Sequence, residues 1–428
     1  MKGNKMKKEF KSAEILCVGT ELLLGDIVNT NAAYLSQRLA ALGISVYREL
    51  TVGDNEGRIL LALKNAFESA DLLLVTGGLG PTCDDITREC TAKFFNAPLE
   101  YREDIAEEIR KYFASTGRKM TDNNLRQAMV PQGAVVIPNA CGTAPGILFE
   151  KDGKAIVLMP GVPREMKNMF ETQVVPYLAS RRNSVLVSRN LSLLGIGESA
   201  AEDILRSFME MSNPTVAPYA KEGEVRIRIT ASACDEETAL RMCCEIEDEI
   251  RKTEVGAFIY DVDSPSVEYS LVNALREKGL TFACAESCTG GLIAKRIVDL
   301  AGVSDVFVGG CVTYANEAKE RLIGVSHETL AAHGAVSEET AAEMARGVRL
   351  ALGSDVGVSV TGIAGPGGGT DEKPVGTVFI GFSNADGEKV KRLTLSKMRD
   401  RNYLRFVSAT NAMHFALTEI KSSAAQHD

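Results

Sequence analysis

Short apolar segments alternate with amphipathic helical segments through most of this 428-residue chain. In the first part, AEILCVGT, ISVYRELTVG and DLLLVTGG have the composition of strands, and TNAAYLSQRLAALG and RILLALKNAFESA have the spacing of helices. Strands that alternate with helices of this length predict βαβ units, in which helices cover both faces of a parallel sheet. The sequence therefore predicts an α/β fold, and the lack of a repeat of about 20–50 residues excludes a solenoid.

The pattern of predicted strands and helices changes twice along the chain. This predicts three domains, in line with about 150 residues per domain. Residues 12–175 form the first α/β section, a doubly wound one, which ends with the strand KAIVLMPG and a helix that starts at a proline. Residues 176–260 predict a small α+β domain, and residues 262–428 predict a second α/β domain. Asp263, Ser264 and Pro265 have the character of a linker and a helix cap.

Composition limits the class of protein. With 48 basic and 57 acidic side chains the formal net charge is −9, which argues against a general nucleic-acid clamp. Ten scattered cysteines without a C-x-x-C pair, and only four histidines, predict free thiols in a reducing cytoplasm rather than disulfides or a zinc cluster. No apolar run reaches about 18 residues, so no membrane span is expected.

A glycine-rich turn follows the strand DLLLVTGG, within the segment VTGGLGPTCDDITRECT. Gly77, Gly78 and Gly80 allow backbone N–H groups to approach a phosphate, next to the start of a helix. Asp84 and Asp85 beside a phosphate site are best explained as ligands of a divalent metal, because bare carboxylates would repel the anion. The alternative is that one of the two aspartates only caps the helix.

The segment TGGLGPTCDDIT is similar to the signature of MoaB/MogA-like molybdopterin-binding domains. Together with GTELLLGDIVNTNAAYLSQRLAALG, GTAPG and MPGVPREM, it resembles the first domain of the CinA family of competence/damage-inducible proteins. The resemblance implies functional roles for Asp85 and Asp54, and metal-dependent hydrolysis of ADP-ribose to AMP and ribose 5-phosphate. The nucleotide contacts expected on this basis are Asn29, Asn31, Arg164 and Glu165.

The third section contains ACAESCTGGLIAKR, which puts three candidate nucleophiles between a strand and a helix. These are Ser287, Cys288 and Thr289, and the glycines Gly290 and Gly291 follow directly. Unpaired N–H groups at such a turn offer an oxyanion site. A serine at a helix start is more often a cap than a nucleophile, so the residue type alone decides little.

A nucleophilic serine needs a base. His327, His333 and His414 lie in no recognisable signature, and His333 is best explained as the end of a helix before a glycine. Lys319 follows the strand VFVGGCVTYA, at the sheet edge where the Ser287 turn is expected, and burial would lower the pKa of such a lysine. Taken alone, a lysine on a helix is expected to lie at the surface.

The segments AESCTGG, TYANEAK, HGAVS and TGIAGPGGGT closely resemble, in this order, the nicotinamide-nucleotide amidohydrolase (PncC) domain of the CinA family. The resemblance implies that Ser287 and Lys319 form a dyad that hydrolyses the carboxamide of nicotinamide mononucleotide without a cofactor, with help from Tyr314. Arg401 and Arg405 would hold the 5′-phosphate, or would form a solvated helix face. The other substrate contacts expected are Thr289, Gly290, Asn316, Thr361, Gly362 and Gly365.

The middle section is similar to a KH-type unit by the same resemblance, but it has no basic G-x-x-G loop. We therefore expect it to act as a spacer or dimer contact, with a homodimer, small-molecule nucleotides as ligands and neither membrane nor direct nucleic-acid binding. The leading hypothesis is a two-site enzyme: an amide hydrolase and a metal-dependent ADP-ribose hydrolase. The alternatives are a deamidase with a nucleotide-sensing first domain, or an interaction protein in DNA uptake or repair.

Overall fold

The computed structural model describes residues 8–181 and 184–422, and its contacts divide the chain into two units. Of the described residues, 8–181, 184–187 and 232–239 form one unit, and 188–231 and 240–422 form the other. The strands of the N-terminal section are β1 (Ser12–Val18), β2 (Ser45–Val52), β3 (Leu72–Thr76), β4 (Leu99–Tyr101), β5 (Met129–Pro131), β6 (Val135–Ile137), β7 (Gly146–Lys151) and β8 (Lys154–Met159). The helices are α1 (Thr20–Leu24), α2 (Thr30–Ala41), α3 (Glu56–Ser69), α4 (Thr87–Phe95), α5 (Glu103–Thr116), α6 (Pro163–Met169) and α7 (Val175–Ala179).

Six of these strands form one sheet with the order β2-β1-β3-β8-β7-β6. The central strands β1, β3 and β8 are almost completely buried, because their apolar side chains pack against helices on both faces. The prediction of a parallel sheet is confirmed for β2, β1, β3 and β8. It is wrong for the remaining edge, where β7 and β6 are antiparallel, since a short turn joins β7 directly to β8.

Two local elements complete this section. The strands β4 and β5 pair with each other in a separate antiparallel ribbon. A 3₁₀ helix at Asp122–Ala128 precedes β5, and a π-helical segment at Phe170–Val174 joins α6 to α7. The 3₁₀ helix begins with a capping box formed by Thr121 and Asn124, which satisfies backbone groups that the helix start leaves unpaired.

The middle section is a four-stranded sheet with two helices. Its elements are β9 (Val185–Leu193), α8 (Glu198–Met209), β10 (Thr215–Lys221), β11 (Glu224–Ala233), α9 (Glu236–Arg251), a 3₁₀ helix (Glu254–Phe258) and β12 (Ile259–Val262). The strand order is β10-β11-β9-β12. The alternating sequence of β11 buries Val225, Ile227 and Ile229 on one face, as a half-buried strand requires.

The C-terminal section repeats the α/β pattern. Its strands are β13 (Phe282–Glu286), β14 (Phe307–Val312), β15 (Val356–Gly362), β16 (Thr377–Asn384) and β17 (Gly387–Thr394). Its helices are α10 (Val267–Lys278), α11 (Leu292–Val298), α12 (Asn316–Ile323), α13 (His327–His333), α14 (Glu338–Leu352) and α15 (Arg401–Ser422). The order is β14-β13-β15-β16-β17, in which the first three strands are parallel and the last two antiparallel. The carboxyl ends of β13 and β14 therefore lie at one edge, as expected.

The start of this section differs from the prediction in one detail. The cap of α10 is Ser266, whose side chain accepts a hydrogen bond from the Tyr269 N–H at 3.4 Å. The predicted cap was within residues 263–265. Ser264 is instead turned inward, with its hydroxyl 2.7 Å from the hydroxyl of Ser270 on the first turns of α10.

Candidate active sites

A cavity of about 440 Å³ lies at the carboxyl ends of the parallel strands in the N-terminal section. The predicted turn, with Gly77, Gly78 and Gly80, forms one wall of it. Five carboxylate side chains also line the cavity: Glu21, Asp54, Asp84, Asp85 and Glu165. The cavity thus combines the two chemical features that the sequence predicted, a glycine-rich turn and acidic side chains.

The turn has a backbone conformation that only glycine adopts without strain. Gly77 has φ +103° and Gly78 has φ +67°, and a Cβ on either would overlap the Val18 carbonyl or the Thr87 hydroxyl. The Thr87 N–H at the start of α4 donates to the Gly78 carbonyl at 3.1 Å. No hydrogen bond within the described chain uses the N–H groups of residues 78–80. Such free consecutive N–H groups can bind an anion.

Neither aspartate caps α4, because that helix begins after Ile86 without a side-chain cap. Asp85 instead uses Oδ2 to accept hydrogen bonds from the N–H (2.9 Å) and the hydroxyl of Thr82. Asp54 is held in the same way, since its Oδ2 accepts from the N–H (2.9 Å) and hydroxyl (2.8 Å) of Thr20. In both carboxylates the described chain leaves Oδ1 without a hydrogen bond, while Asp84 is exposed.

The two asparagines expected to contact a nucleotide line the cavity but also have structural partners. Asn29 caps α2 by accepting from the Ala32 N–H at 3.1 Å. Asn31 is buried and donates to the Gly161 carbonyl at 2.8 Å and to Thr76 at 3.1 Å. Both side chains therefore fix the loops around the cavity, whatever else they contact.

In the C-terminal section, Ser287 follows β13 directly and Lys319 lies on the first turn of α12. The Lys319 Nζ is 3.4 Å from the Ser287 Oγ and donates to the Thr313 carbonyl at 2.8 Å. Lys319 is fully buried, so the surface position expected for an isolated lysine is wrong. Burial lowers the pKa of Lys319 below its ordinary value of 10.5, and in the described chain no carboxylate pairs with it. Burial therefore makes the neutral amine more accessible than it is in an exposed lysine.

Glu286 is a site residue that the sequence reasoning missed. Its buried carboxylate accepts hydrogen bonds from the N–H groups of Gly291 (3.0 Å), Ile293 (3.1 Å) and Ala294 (2.9 Å). It thereby caps α11 and fixes the turn that carries Ser287. The signal available in the sequence was a glutamate at the end of an otherwise apolar strand, immediately before the candidate nucleophile.

The other two candidate nucleophiles are buried beside Ser287. Burial raises the pKa of the Cys288 thiol to about 12, which disfavours the reactive thiolate. Thr289 is fully buried. Of the histidines, His327 and His333 lie beside glutamates, and His414 packs edge-on against an aromatic ring, so in the described chain none contacts Ser287.

The predicted arginines contact backbone carbonyls rather than solvent alone. Arg405 donates to the carbonyls of Cys288 (3.1 Å) and Thr289 (2.7 Å), and therefore supports the nucleophile turn. Arg401 donates to the Gly365 carbonyl at 2.6 Å and to the Tyr314 hydroxyl at 3.3 Å. The two arginines thus contact three of the four segments predicted from sequence, AESCTGG, TYANEAK and TGIAGPGGGT.

The remaining predicted contacts differ in accessibility. Tyr314 and Asn316 are exposed, whereas Thr361 is buried and donates to the Ala335 carbonyl at 2.6 Å. Beside Arg401, the loop of residues 364–371 borders a cavity of about 740 Å³. Lys397 and Arg399, which the sequence reasoning did not single out, also line this cavity.

The fold and these sites define an α/β protein with a molybdopterin-binding type of first domain and a separate C-terminal site. Three family models match the chain: "Probable molybdopterin binding domain" over residues 14–180, "Damage-inducible protein CinA KH domain" over 188–260 and "CinA C-terminal domain" over 265–420. In the described part of the chain, no helix has the length and apolar character needed to cross a membrane.

Relatives match nearly the whole chain. A CinA-like protein of Kosmotoga olearia is 51% identical over 404 residues, which cover 94% of this chain and 97% of the relative. A putative competence-damage inducible protein of Caldanaerobacter subterraneus subsp. tengcongensis is 51% identical and covers 91% and 94% of the two chains. The chain belongs to the CinA family. A solved structure of CinA from Thermoplasma acidophilum, described as having unknown function, is 37% identical and covers 39% of this chain and 97% of its own, with a TM-score of 0.37.

Proposed function

We propose that the C-terminal site hydrolyses the carboxamide of nicotinamide mononucleotide to the acid and ammonia. The observation that carries this proposal is the buried Lys319 amine, 3.4 Å from the Ser287 hydroxyl and without a carboxylate partner in the described chain. Burial lowers the pKa of this lysine, and its neutral form can accept the serine proton. The family resemblance of the four motifs supplies the substrate.

The reaction balances with these two side chains and one water. The Ser287 Oγ bonds to the amide carbon as its proton moves to the Lys319 amine. The C–N bond then breaks and Lys319 returns that proton to the leaving ammonia, which leaves an ester on Ser287. Water attacks the ester carbon, Lys319 takes a proton from this water and returns it to the Ser287 Oγ as the C–O bond breaks.

The oxyanion formed in both steps needs hydrogen-bond donors. The N–H groups of Cys288 and Thr289 serve in this proposal, because no hydrogen bond within the described chain uses them. Glu286 and Arg405 hold this turn from its two sides, through the start of α11 and through the carbonyls of residues 288 and 289. Both residues therefore act by positioning the turn.

The experiment is ammonia release from nicotinamide mononucleotide by the full chain. Ser287→Ala should abolish turnover, while Cys288→Ala should retain it. Turnover that survives in Ser287→Ala but is lost in Cys288→Ala would assign the nucleophile to the thiol. Circular dichroism of each variant checks that the fold is intact.

For the N-terminal cavity we propose metal-dependent hydrolysis of ADP-ribose at its diphosphate, which gives AMP and ribose 5-phosphate. The free N–H groups of residues 78–80 suit the phosphates, and a divalent metal would be held by Asp84 and Asp85. Among the described residues no three His, Cys, Asp or Glu side chains are grouped to hold a metal alone. The donor set still fits a magnesium-like ion, because such ions take one or two carboxylates together with substrate phosphates.

When bound, the metal would neutralise charge on the diphosphate. AMP formation from ADP-ribose, with and without divalent metal, tests this proposal. Loss of turnover in Asp85→Ala is expected, and retained turnover would remove that residue from the site. Binding of ADP-ribose without turnover under any divalent metal would make the cavity a nucleotide sensor.

A further inference from the structure

The glycine-rich turn is held by the 3₁₀ helix Asp122–Ala128, of which Gln127 also lines the cavity. Three side chains of this helix donate to three carbonyls of the turn. The pairs are Asn123 Nδ2 with the Pro81 carbonyl at 3.3 Å, Arg126 Nη1 with the Thr82 carbonyl at 2.6 Å and Gln127 Nε2 with the Leu79 carbonyl at 3.5 Å. The 3₁₀ helix therefore binds three of the four carbonyls of residues 79–82.

The 3₁₀ helix is itself anchored at both ends of this contact. Its capping box fixes the first turn, where the Thr121 N–H donates to the Asn124 Oδ1 at 2.9 Å. Arg126 also donates to Glu89 of α4 at 3.2 Å, so one guanidinium joins the turn to the helix that follows it. Gln127 is almost completely buried.

The direction of these carbonyls sets the direction of the N–H groups. In a planar trans peptide the C=O and the next N–H point to opposite sides. Holding the Leu79 carbonyl on the 3₁₀ helix therefore turns the Gly80 N–H away from that helix. Holding the Pro81 carbonyl likewise turns away the Thr82 N–H, which donates to Asp85 at 2.9 Å. A rotated peptide would instead present a carbonyl oxygen to the ligand and repel a phosphate.

We propose that Arg126 and Asn123 are positioning residues that hold the end of the turn, at Pro81 and Thr82, and through Thr82 the carboxylate of Asp85, in the form that binds a nucleoside diphosphate. This inference rests on the ligand class proposed for the N-terminal cavity, but it does not require turnover. Asn123→Ala is the informative variant, because it removes a donor from an exposed side chain without changing the net charge. Arg126→Ala removes the stronger, charged donor.

The test compares the full chain with Asn123→Ala, Arg126→Ala and the control Arg110→Ala. Arg110 is a partly exposed arginine whose ion pairs lie within α5. ADP-ribose binding is measured by calorimetry in EDTA, and KM and kcat are measured with Mg²⁺. We expect weaker binding by about tenfold for Arg126→Ala and about threefold for Asn123→Ala, with KM rising more than kcat falls. Hydrogen exchange at the Thr82 amide should be faster in Asn123→Ala and in Arg126→Ala than in the unmodified chain.

Unchanged affinity in both variants, or an equal loss in Arg110→Ala, would overturn the positioning role. A loss in Arg126→Ala alone, with normal affinity and normal Thr82 exchange in Asn123→Ala, would also overturn it, because charge alone would then explain the effect. Binding without hydrolysis in the unmodified chain would refute the proposed activity and leave the positioning role standing. Ammonia release should be the same in all four proteins.

Discussion

Replacing Lys319 by methionine tests the central step of the proposed amide hydrolysis. Methionine keeps an unbranched apolar stem in a fully buried position and removes only the amine. The lost amine is the group 3.4 Å from the Ser287 Oγ and 2.8 Å from the Thr313 carbonyl. General acid–base catalysis contributes about 10²–10⁴-fold, so we expect kcat for ammonia release to fall by about 10³-fold, or about 4 kcal/mol.

The pH dependence of activity and of stability, compared between the unmodified chain and Lys319→Met, tests the lowered pKa independently. Burial lowers the pKa of Lys319, and the base must be neutral, so kcat/KM should rise with pH through that lowered value. Between the lowered pKa and 10.5, the unfolded chain binds more protons than the folded chain. Burial of the lysine therefore lowers the free energy of unfolding least at high pH. The free energy of unfolding of the unmodified chain should therefore rise with pH relative to Lys319→Met in this window.

The control is Lys295→Met, which changes an exposed lysine of α11 paired with Asp299. It should keep ammonia release within about twofold, since an exposed pair contributes little. A folded Lys319→Met protein that retains more than a tenth of the activity would refute the assignment of the base. An unchanged inflection in its pH profile would refute the account of the lowered pKa.

Three further variants test the two turns. Glu286→Gln puts an amide NH₂ opposite backbone N–H groups, so we expect a loss of about 1–3 kcal/mol in chemical denaturation and slower ammonia release. Gly78→Ala forces a Cβ against Thr87 at φ +67°. We therefore expect calorimetry to show a loss of ADP-ribose binding, and chemical denaturation to show a loss of at least about 1 kcal/mol in the free energy of unfolding. Cys288→Ala should keep ammonia release within about threefold, because the raised thiol pKa leaves almost no thiolate; a loss above tenfold would contradict this.

Local patterns predicted most of the secondary structure. The buried runs of β1, β3 and β8 and the helical spacing of α2 and α3 are confirmed, because each depends on side chains close in sequence. The antiparallel direction of β6 and β7 was missed, as was the strand β17. Strand direction is decided by the partner with which a strand pairs, and period alone does not carry that information.

The sequence identified candidate residues for the C-terminal site, but not their contacts or their burial. Ser287 and Lys319 are 32 positions apart, and their 3.4 Å contact depends on the parallel pairing of β13 with β14. The burial of Lys319 comes from tertiary packing that a helical pattern with a charged residue does not reveal. The carbonyl partners of Arg405 could not be predicted, because phosphate and backbone carbonyls are both acceptors for a guanidinium group.

The two sites use the same strand–turn–helix arrangement with opposite electrostatic consequences. In the N-terminal turn the N–H groups of residues 78–80 are free in the described chain, so the turn can bind an anion. At the Ser287 turn, Glu286 already occupies the N–H groups at the start of α11 with a buried negative charge. That charge disfavours a phosphate there and suits a neutral carboxamide. If the proposed function holds, we expect the phosphate of the substrate to bind away from this helix start. Lys397, Arg399 and Arg401 are candidates for that contact, in a cavity that Asp371 and Asp400 also line.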